Sequence, residues 1–582
     1  MLTSCLCLRL LCADSTHALH SRTKSNNNSA DALRTVIHLH TAHVALTLCS
    51  SAALCSHSTR LSARSSSVTG QSDRISATVA HTPARTPAQG RDSESPSLTG
   101  VDCCVSWCAD SHPRIALSAM PRSLAVVLRT LFVALLSVCS FAGAAASGPV
   151  FDVTSYGAIG DNRTDCTASV SKALASMMKG DSGTLYFPSG TYRFSTRSAA
   201  LASIEIWTSN TGPWMVVGDG EANTTLVTDP TVGQLLYVGT AEAGVPMQFT
   251  LASLTVQVIP NPTTKAPLPM PLCNAAEVAN FSVQSVSFSG YTNGSYTALM
   301  QISEGSNVLL TEISVDINSP GATAFALNNI EGVSVVGFTV TDAVLRVALN
   351  VSSSSAVSIS DVSATLLAST ALWFADVSDL TLNELMLESS QPNPMISSGL
   401  PSGIVLEGIC DPVSIVGLST VRCGVGITSQ FSPWTNFSSP YPKHLSLSRS
   451  VFNDSQVAGI SMLDNVTLSA SESWFGASWN ELGGGIVAKI YNPAFPQRAY
   501  SGVEATVEGC TFTRLGDGGV STDGGSFNLT GNLFTDLNVA VIYQSSWVPD
   551  DRGLMPLSIV NNTFADVQQY VMVLSRHGGG RR

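Results

Sequence analysis

The chain has 582 residues and a formal net charge of −12, and only 12% of its residues are charged. The charge is unevenly placed: residues 1–146 carry 12 Lys+Arg against 7 Asp+Glu, a net of +5, while residues 147–582 carry 17 against 34, a net of −17. The acidic part has no basic stripe, which argues against nucleic acid as a partner.

Residues 1–119 are rich in Ser, Thr, His and Arg and show no sustained periodicity, so nothing in them builds a core and disorder is expected. Met120-Pro121-Arg122 opens a second start. A mostly apolar run follows from Leu124 to Val138, interrupted by Arg129, and ends in Ala142-Gly143-Ala144-Ala145-Ala146-Ser147. A basic end, an apolar stretch and an Ala-x-Ala site predict a signal peptide over 120–146, with Met120 as the true start and 1–119 as a spurious extension. The alternative is a signal-anchor helix holding the rest of the chain outside the cell. That helix is short once Arg129 is discounted, because a span needs ~20 apolar residues. Both readings export residues 147–582, since the basic residues precede the apolar run. The expected mature protein is secreted, with no stable membrane span.

The exported part carries glycosylation sequons at Asn162, Asn223, Asn280, Asn293, Asn350, Asn436, Asn453, Asn465, Asn528 and Asn561. Its cysteines are Cys166, Cys273, Cys410, Cys423 and Cys510, with no CxxC pair, and its histidines are His444 and His577. That inventory leaves at least one cysteine unpaired and predicts no metal site, no cofactor and no Ser-His triad.

The mature chain opens on Phe151 to Thr167. A short helix is predicted over 165–179, capped by Asp165 or Thr164, with Val170, Leu174 and Met177 on one face and Gly180 at its end. Next comes a strand and turn, Gly183 to Tyr192. From Phe249 onward one pattern recurs: apolar, any, apolar, two of any, apolar, any, apolar. It starts at Phe249, Phe281, Val308, Val333, Val357, Leu380, Val413, Leu445, Val466, Ala505, Phe527 and Leu557. Each half has the period of a strand, and the tight spacing signals stacked repeats. The fold class is therefore all-β: a right-handed parallel β-helix of about twelve coils over 147–582, with an N-terminal capping helix. A β-sandwich has no reason to keep one motif in step. The predicted helix would cover the open end of the first coil. No such plug follows the strand Val571–Leu574, so a partner or a missing segment is expected there.

Tyr156-Gly157-Ala158-Ile159-Gly160-Asp161, then Thr164-Asp165-Cys166-Thr167, then Gly183-Thr184-Leu185-Tyr186-Phe187-Pro188-Ser189-Gly190-Thr191-Tyr192 resemble the N-terminal cap of the pectate-lyase superfamily, which includes polygalacturonases and rhamnogalacturonases. The resemblance covers residues 150–194. It implies a β-helix and work on polysaccharides, and it chooses no activity. Cys166 stands where the family commonly has a second Asp, and the polygalacturonase signatures Asn-Thr-Asp and Gly-His-Gly are absent, so that catalytic set does not carry over. Asn532 and Asn562, at one corner of successive motifs, are expected to form an internal amide ladder.

A third strand precedes each motif copy. Alignment of Phe325–Asn328, Val347–Asn350, Ile404–Glu407, Ile427–Gln430, Ile460–Asp464, Ile486–Lys489, Val520–Asp523 and Val541–Gln544 places a polar column at the strand exit, charged from Glu407 onward. Insertions beside these coils hold Trp434, Trp474, Tyr491 and Trp547, aromatic faces suited to stacking on sugar rings. The candidate acid and base are Asp464 and Asp523, with Asp517 as the reserve carboxylate and Lys489 between them. Glu407, Trp434, Tyr491, Arg514, Gln544 and Trp547 are the candidate substrate-binding residues. Two aspartates two coils apart approach the 6.5–9.5 Å carboxyl separation of inverting glycosidases. The expected function is that of a secreted glycoside hydrolase acting on a polysaccharide. One alternative is a polysaccharide lyase, with Lys489 or Arg514 as base and calcium on Asp517 and Asp523; the other is a non-catalytic glycan-binding surface protein.

Overall fold

A computed structural model of the chain describes residues 148–575 apart from 197–200, 230–232, 243–245, 260–269, 292–295, 320, 367–369, 391–400, 431–442, 463–465, 477–482, 490–502, 517, 524 and 545–555. Each coil bends at single residues in the left-handed region. In successive coils these are Glu277/Asn280/Ser285, Glu304/Asn307/Glu312, Asn329/Gly332/Gly337, Ser353/Ala356/Asp361 and Asp376/Asp379/Glu384, each set spaced by three and then five residues. A lone left-handed residue between extended neighbours turns the strand sharply, at ~1–2 kcal/mol when it is not glycine. Sheet pairing runs almost continuously around the bends, so Cys273–Tyr291, Ala298–Asn318 and Thr323–Ala343 each form one long strand that wraps a whole coil. Many of the acidic residues sit at these corners. Inward positions are apolar and outward sheet positions are mostly Ser, Thr and Asn, so the corners are where solvated charge fits.

The resulting fold is a right-handed parallel β-helix. Phe281, Val308, Val333, Val357, Leu380, Val413 and Leu445 pair in one unbroken column, and all are at most 2% exposed. The column Phe338, Val362, Leu385 behaves likewise. Burying each such side chain contributes ~1.5–3 kcal/mol, so columns of this kind carry the stability. The stack also extends further toward the N-terminus than the motif shows, since Trp214 pairs with both Gly183 and Phe249 and Thr184 pairs with Val150. One motif start is corrected. Val466 pairs with Lys443, and it is Leu468 that continues the column from Leu445 to Ala505. A period-two pattern is unchanged by a slip of two residues, so alternation alone does not distinguish them.

The capping helix α1 spans Thr167–Met177, shorter than the predicted 165–179. It buries Val170, Ala173, Leu174 and Met177 and packs on Val150–Asp152, Gly183–Phe187 and Ala202–Thr208, covering the first coil. Its cap position is Cys166, which makes no side-chain capping bond. Asp165 acts one residue earlier, where its carboxylate accepts from Thr167 N at 3.0 Å and Thr167 Oγ1 at 2.6 Å, and also from Thr196 Oγ1. Burial alone would raise the Asp165 pKa, but these hydrogen bonds outweigh it and leave the group at about 2.

Two internal devices hold the C-terminal coils. Phe452, Phe475, Phe512, Phe534 and Phe564 stack face to face, with centroids 4.8, 4.9, 4.8 and 5.2 Å apart. Beside them, the expected amide ladder is present: Asn532 Oδ1 accepts from Cys510 N at 2.8 Å, and Asn562 Oδ1 accepts from Asn532 N and Nδ2 at 2.8 and 2.9 Å. At the last described coil Tyr570 is 59% and Leu574 65% exposed. All five cysteines of the described region are buried free thiols.

Candidate functional site

The outward face of the third sheet presents two parallel rows. In the first, Glu205, Tyr237, Asn274, Gln301, Ala326 and Asn350 are strand neighbours in that order, and Trp373, Val405 and Thr428 continue it. The second row lies two residues further along each strand. It runs Ser303, Asn328, Ser352, Ala375, Glu407 and Gln430, and the same backbone position is held later by Lys489, Asp523 and Gln544. The predicted charged column is therefore in register from Glu407 to Gln430 and from Lys489 to Gln544.

Its earlier half is corrected. Asn328 pairs with Ser352, while Asn350 pairs with Ala326 and Trp373 and so belongs to the first row. This is again a slip of two residues on an unchanged alternation. Asp464, Asp517, Trp434, Tyr491 and Trp547 lie outside the described residues, as do Asn293, Asn436 and Asn465.

Of the remaining candidates, Glu407 is 5% exposed rather than open, although it faces outward. Arg514 is not brought to Asp523. It stands exposed at a left-handed corner ahead of the strand Gly518–Asp523, and Asp523 ends that strand, five residues or roughly 16 Å along. Trp474 is in the strand Trp474–Gly476 of another sheet, between Val451 and Thr511, and not in a loop beside the groove. Among the described sequons, Asn162, Asn223, Asn528 and Asn561 are exposed, and Asn280, Asn350 and Asn453 are half-buried.

Three features of the site were missed by sequence reasoning. An aromatic pair, Trp207 and Tyr237, lies on the same outward face with centroids 5.6 Å apart. A cleft of about 690 Å³ opens at the exit corner of the third strands, lined by Glu304, Glu331, Ser353, Asp376 and Ile409. Lys443 is 4% exposed, and its Nζ donates to Ser429 Oγ at 3.4 Å and to Gln430 O at 3.2 Å. Only Trp207 carried a sequence signal, as an aromatic on a polar strand face. The other two require knowing which residues neighbouring coils superpose. His444 Nδ1 pairs with Asp411 Oδ1 at 2.9 Å on a different sheet. No group of three ligating side chains suited to a metal ion occurs among the described residues, and no helix among them is long and apolar enough to cross a membrane.

Residues 150–370 match the family model described as rhamnogalacturonase A/epimerase, pectate lyase-like. Over those residues the chain is similar to the pectate-lyase-like superfamily. Solved structures are similar to the chain at low identity. The catalytic unit of a thermostable GH87 α-1,3-glucanase from Streptomyces thermodiastaticus strain HF3-3 is 12% identical over 73% of this chain and 70% of that one, with a TM-score of 0.45. The A-module of the mannuronan C-5 epimerase AlgE6 of Azotobacter vinelandii is 14% identical over 71% and 99%, with a TM-score of 0.38. Tailspike protein 3 of bacteriophage CBA120 is 13% identical over 71% and 61%, with a TM-score of 0.38. Likeness at this level is one of fold alone. No curated protein matches the chain.

Proposed function

We propose that this protein is a secreted carbohydrate-active enzyme, a glycoside hydrolase whose polysaccharide substrate lies along the outward face of the third sheet. The observation that carries the reading is the pair of rows on that sheet, the first continuous from Glu205 to Thr428. Aromatic and amide residues occupy the N-terminal half, and the second row ends in the register Lys489–Asp523–Gln544. The pectate-lyase-like match over residues 150–370 supports carbohydrate as the substrate class.

Hydrolysis needs two carboxyl groups about 6.5–9.5 Å apart when inversion occurs through water, or about 5–5.5 Å apart when one of them is the nucleophile. Glu407 stands four coils before Asp523, roughly 19 Å at ~4.8 Å per coil, so these two do not form the pair. Asp523 is one member, and Asp464 or Asp517 supplies the other. Lys489 is the backbone partner of Asp523 one coil earlier. Export through the segment 120–146 is part of the same proposal, and N-terminal sequencing of secreted protein should begin near residues 145–149.

The test is a panel of neutral and uronate polysaccharides, with new reducing ends and unsaturated-uronide absorbance both measured. Reducing ends without that absorbance support hydrolysis. Absorbance of the uronide makes the protein a lyase, and binding without products makes it a lectin-like surface protein. Asp523→Asn should lower turnover by about 10²–10⁴, the range for a lost acid or base. If Asp464→Asn, Asp517→Asn and Asp523→Asn each retain full activity, the site assignment is wrong.

A further inference from the structure

Trp207 is 42% exposed, which is unusual for a large ring on a rigid sheet. Its strand partner is Gly239. A Cβ there would stand 3.0 and 3.1 Å from Trp207 Cζ3 and Cε3, so the absent side chain is what lets the indole lie against the sheet. Tyr237 supports the ring from the neighbouring position at an interplanar angle of 36°, which leaves the other indole face to solvent. The surroundings are polar, and among the described residues the strands Ala202–Thr208 and Gln234–Thr240 contain no Lys or Arg. Glu205 is the strand neighbour of Tyr237, and Asn274 follows on the next coil. Asn274 Oδ1 is sealed from solvent without a hydrogen-bond partner. Burial first, and then the carboxylates of Glu205 and Glu277, push the Tyr237 phenol above its ordinary pKa. Neither outward row contains a Lys or Arg between Glu205 and Glu407.

We infer that Trp207 and Tyr237 form a binding platform for a neutral glycan, stacking under a sugar ring of a chain that continues over Asn274 and Gln301 toward Trp373. An exposed indole held flat offers a C–H-binding face at little ordering cost. The amide of Gln301 supplies a donor and an acceptor for hydroxyls. Trp373 occupies the first row five coils beyond Tyr237, roughly 24 Å away, so the platform and Trp373 bracket several sugar units. The Glu205 and Glu277 carboxylates beside the platform, in rows that hold no Lys or Arg up to Glu407, disfavour a uronate chain. The inference rests on the reading of this face as the glycan track and adds the class of glycan and an anchoring point remote from the chemistry.

The experiment is affinity electrophoresis and tryptophan-fluorescence titration of the full chain. The probes are a soluble glucan, mannan and xylan, with polygalacturonate as the charged comparison. The parent should bind at least one neutral polymer and leave polygalacturonate unbound. Trp207→Ala should weaken the neutral interaction on the order of tenfold, the equivalent of ~1.4 kcal/mol, and Trp207→Phe should recover part of it. Binding of polygalacturonate alone, binding of none of the polymers, or unchanged affinity in Trp207→Ala overturns the inference. The Asp523→Asn variant separates this from the proposed activity. It should keep the affinity while losing turnover, so a platform failure leaves Asp523 dependence intact, and failure of the hydrolase reading leaves Trp207 dependence intact.

Discussion

Replacing Asn532 by Ala removes a side chain that closes a coil from inside. Asn532 is 1% exposed. Its Oδ1 accepts from Cys510 N at 2.8 Å, and its Nδ2 donates to Val507 O and to Asn562 Oδ1, both at 2.9 Å. In Asn532→Ala the Cys510 N–H and the Val507 carbonyl lose these partners in the interior. Asn562 Oδ1 still accepts from Asn532 N at 2.8 Å, so the third partner is not orphaned. At about 1–3 kcal/mol for each buried group left unpaired, the cost is roughly 2–6 kcal/mol. Asn532→Asp should cost more, because a charged oxygen would then face two acceptors in a dry site. Asn562→Ala should cost less, since Asn562 is only half-buried and water can replace its bonds. Denaturant unfolding of the purified chain, read as shifts in midpoint at constant slope, gives the order. A ranking in which Asn532→Ala is no worse than Asn562→Ala would refute the claim that the ladder works by satisfying buried backbone groups.

Other outcomes follow from the same geometry. In Gly485→Ala the new Cβ would sit 2.6 Å from Phe512 Cδ1 and 2.5 Å from Gly519 O. Phe512 is held at 4.9 and 4.8 Å between stacked rings, so overpacking of about 1–3 kcal/mol should lower the thermal midpoint; a midpoint equal to the parent's would contradict the stacked column. Leu385 is 2% exposed between Val362 and Leu418. Leu385→Asp should cost several kcal/mol, more than ~3, and soluble expression at parental stability would show that the column is not internal. Asp165 has a folded pKa lowered to about 2 from the ordinary 3.8. A lowered carboxyl pKa stabilises the fold above about pH 4, and that contribution fades as pH falls toward 2. Asp165→Asn should therefore flatten the acid limb of the stability curve, and an unchanged limb would exclude Asp165 from acid unfolding.

The repeat, the inward faces, the helical plug and the amide ladder were legible in the sequence because each depends on local alternation or on a corner residue recurring at a fixed offset. Register was not. The misplaced Val466 and Asn350 are both slips of two residues, which alternation permits and only the closure of each coil forbids. Separation across a strand was also hidden. Arg514 and Asp523 are nine residues apart in sequence, yet Arg514 stands at a corner ahead of the strand Gly518–Asp523 and Asp523 ends it. The aromatic platform was out of reach for a related reason: Trp207 belongs to one coil and Tyr237 and Gly239 to the next, and their meeting depends on the length of chain that links the coils. Period and composition are properties of short segments and determine which way a side chain faces. Which side chains face one another across coils is decided by the path of the intervening chain, and only the folded structure contains that path.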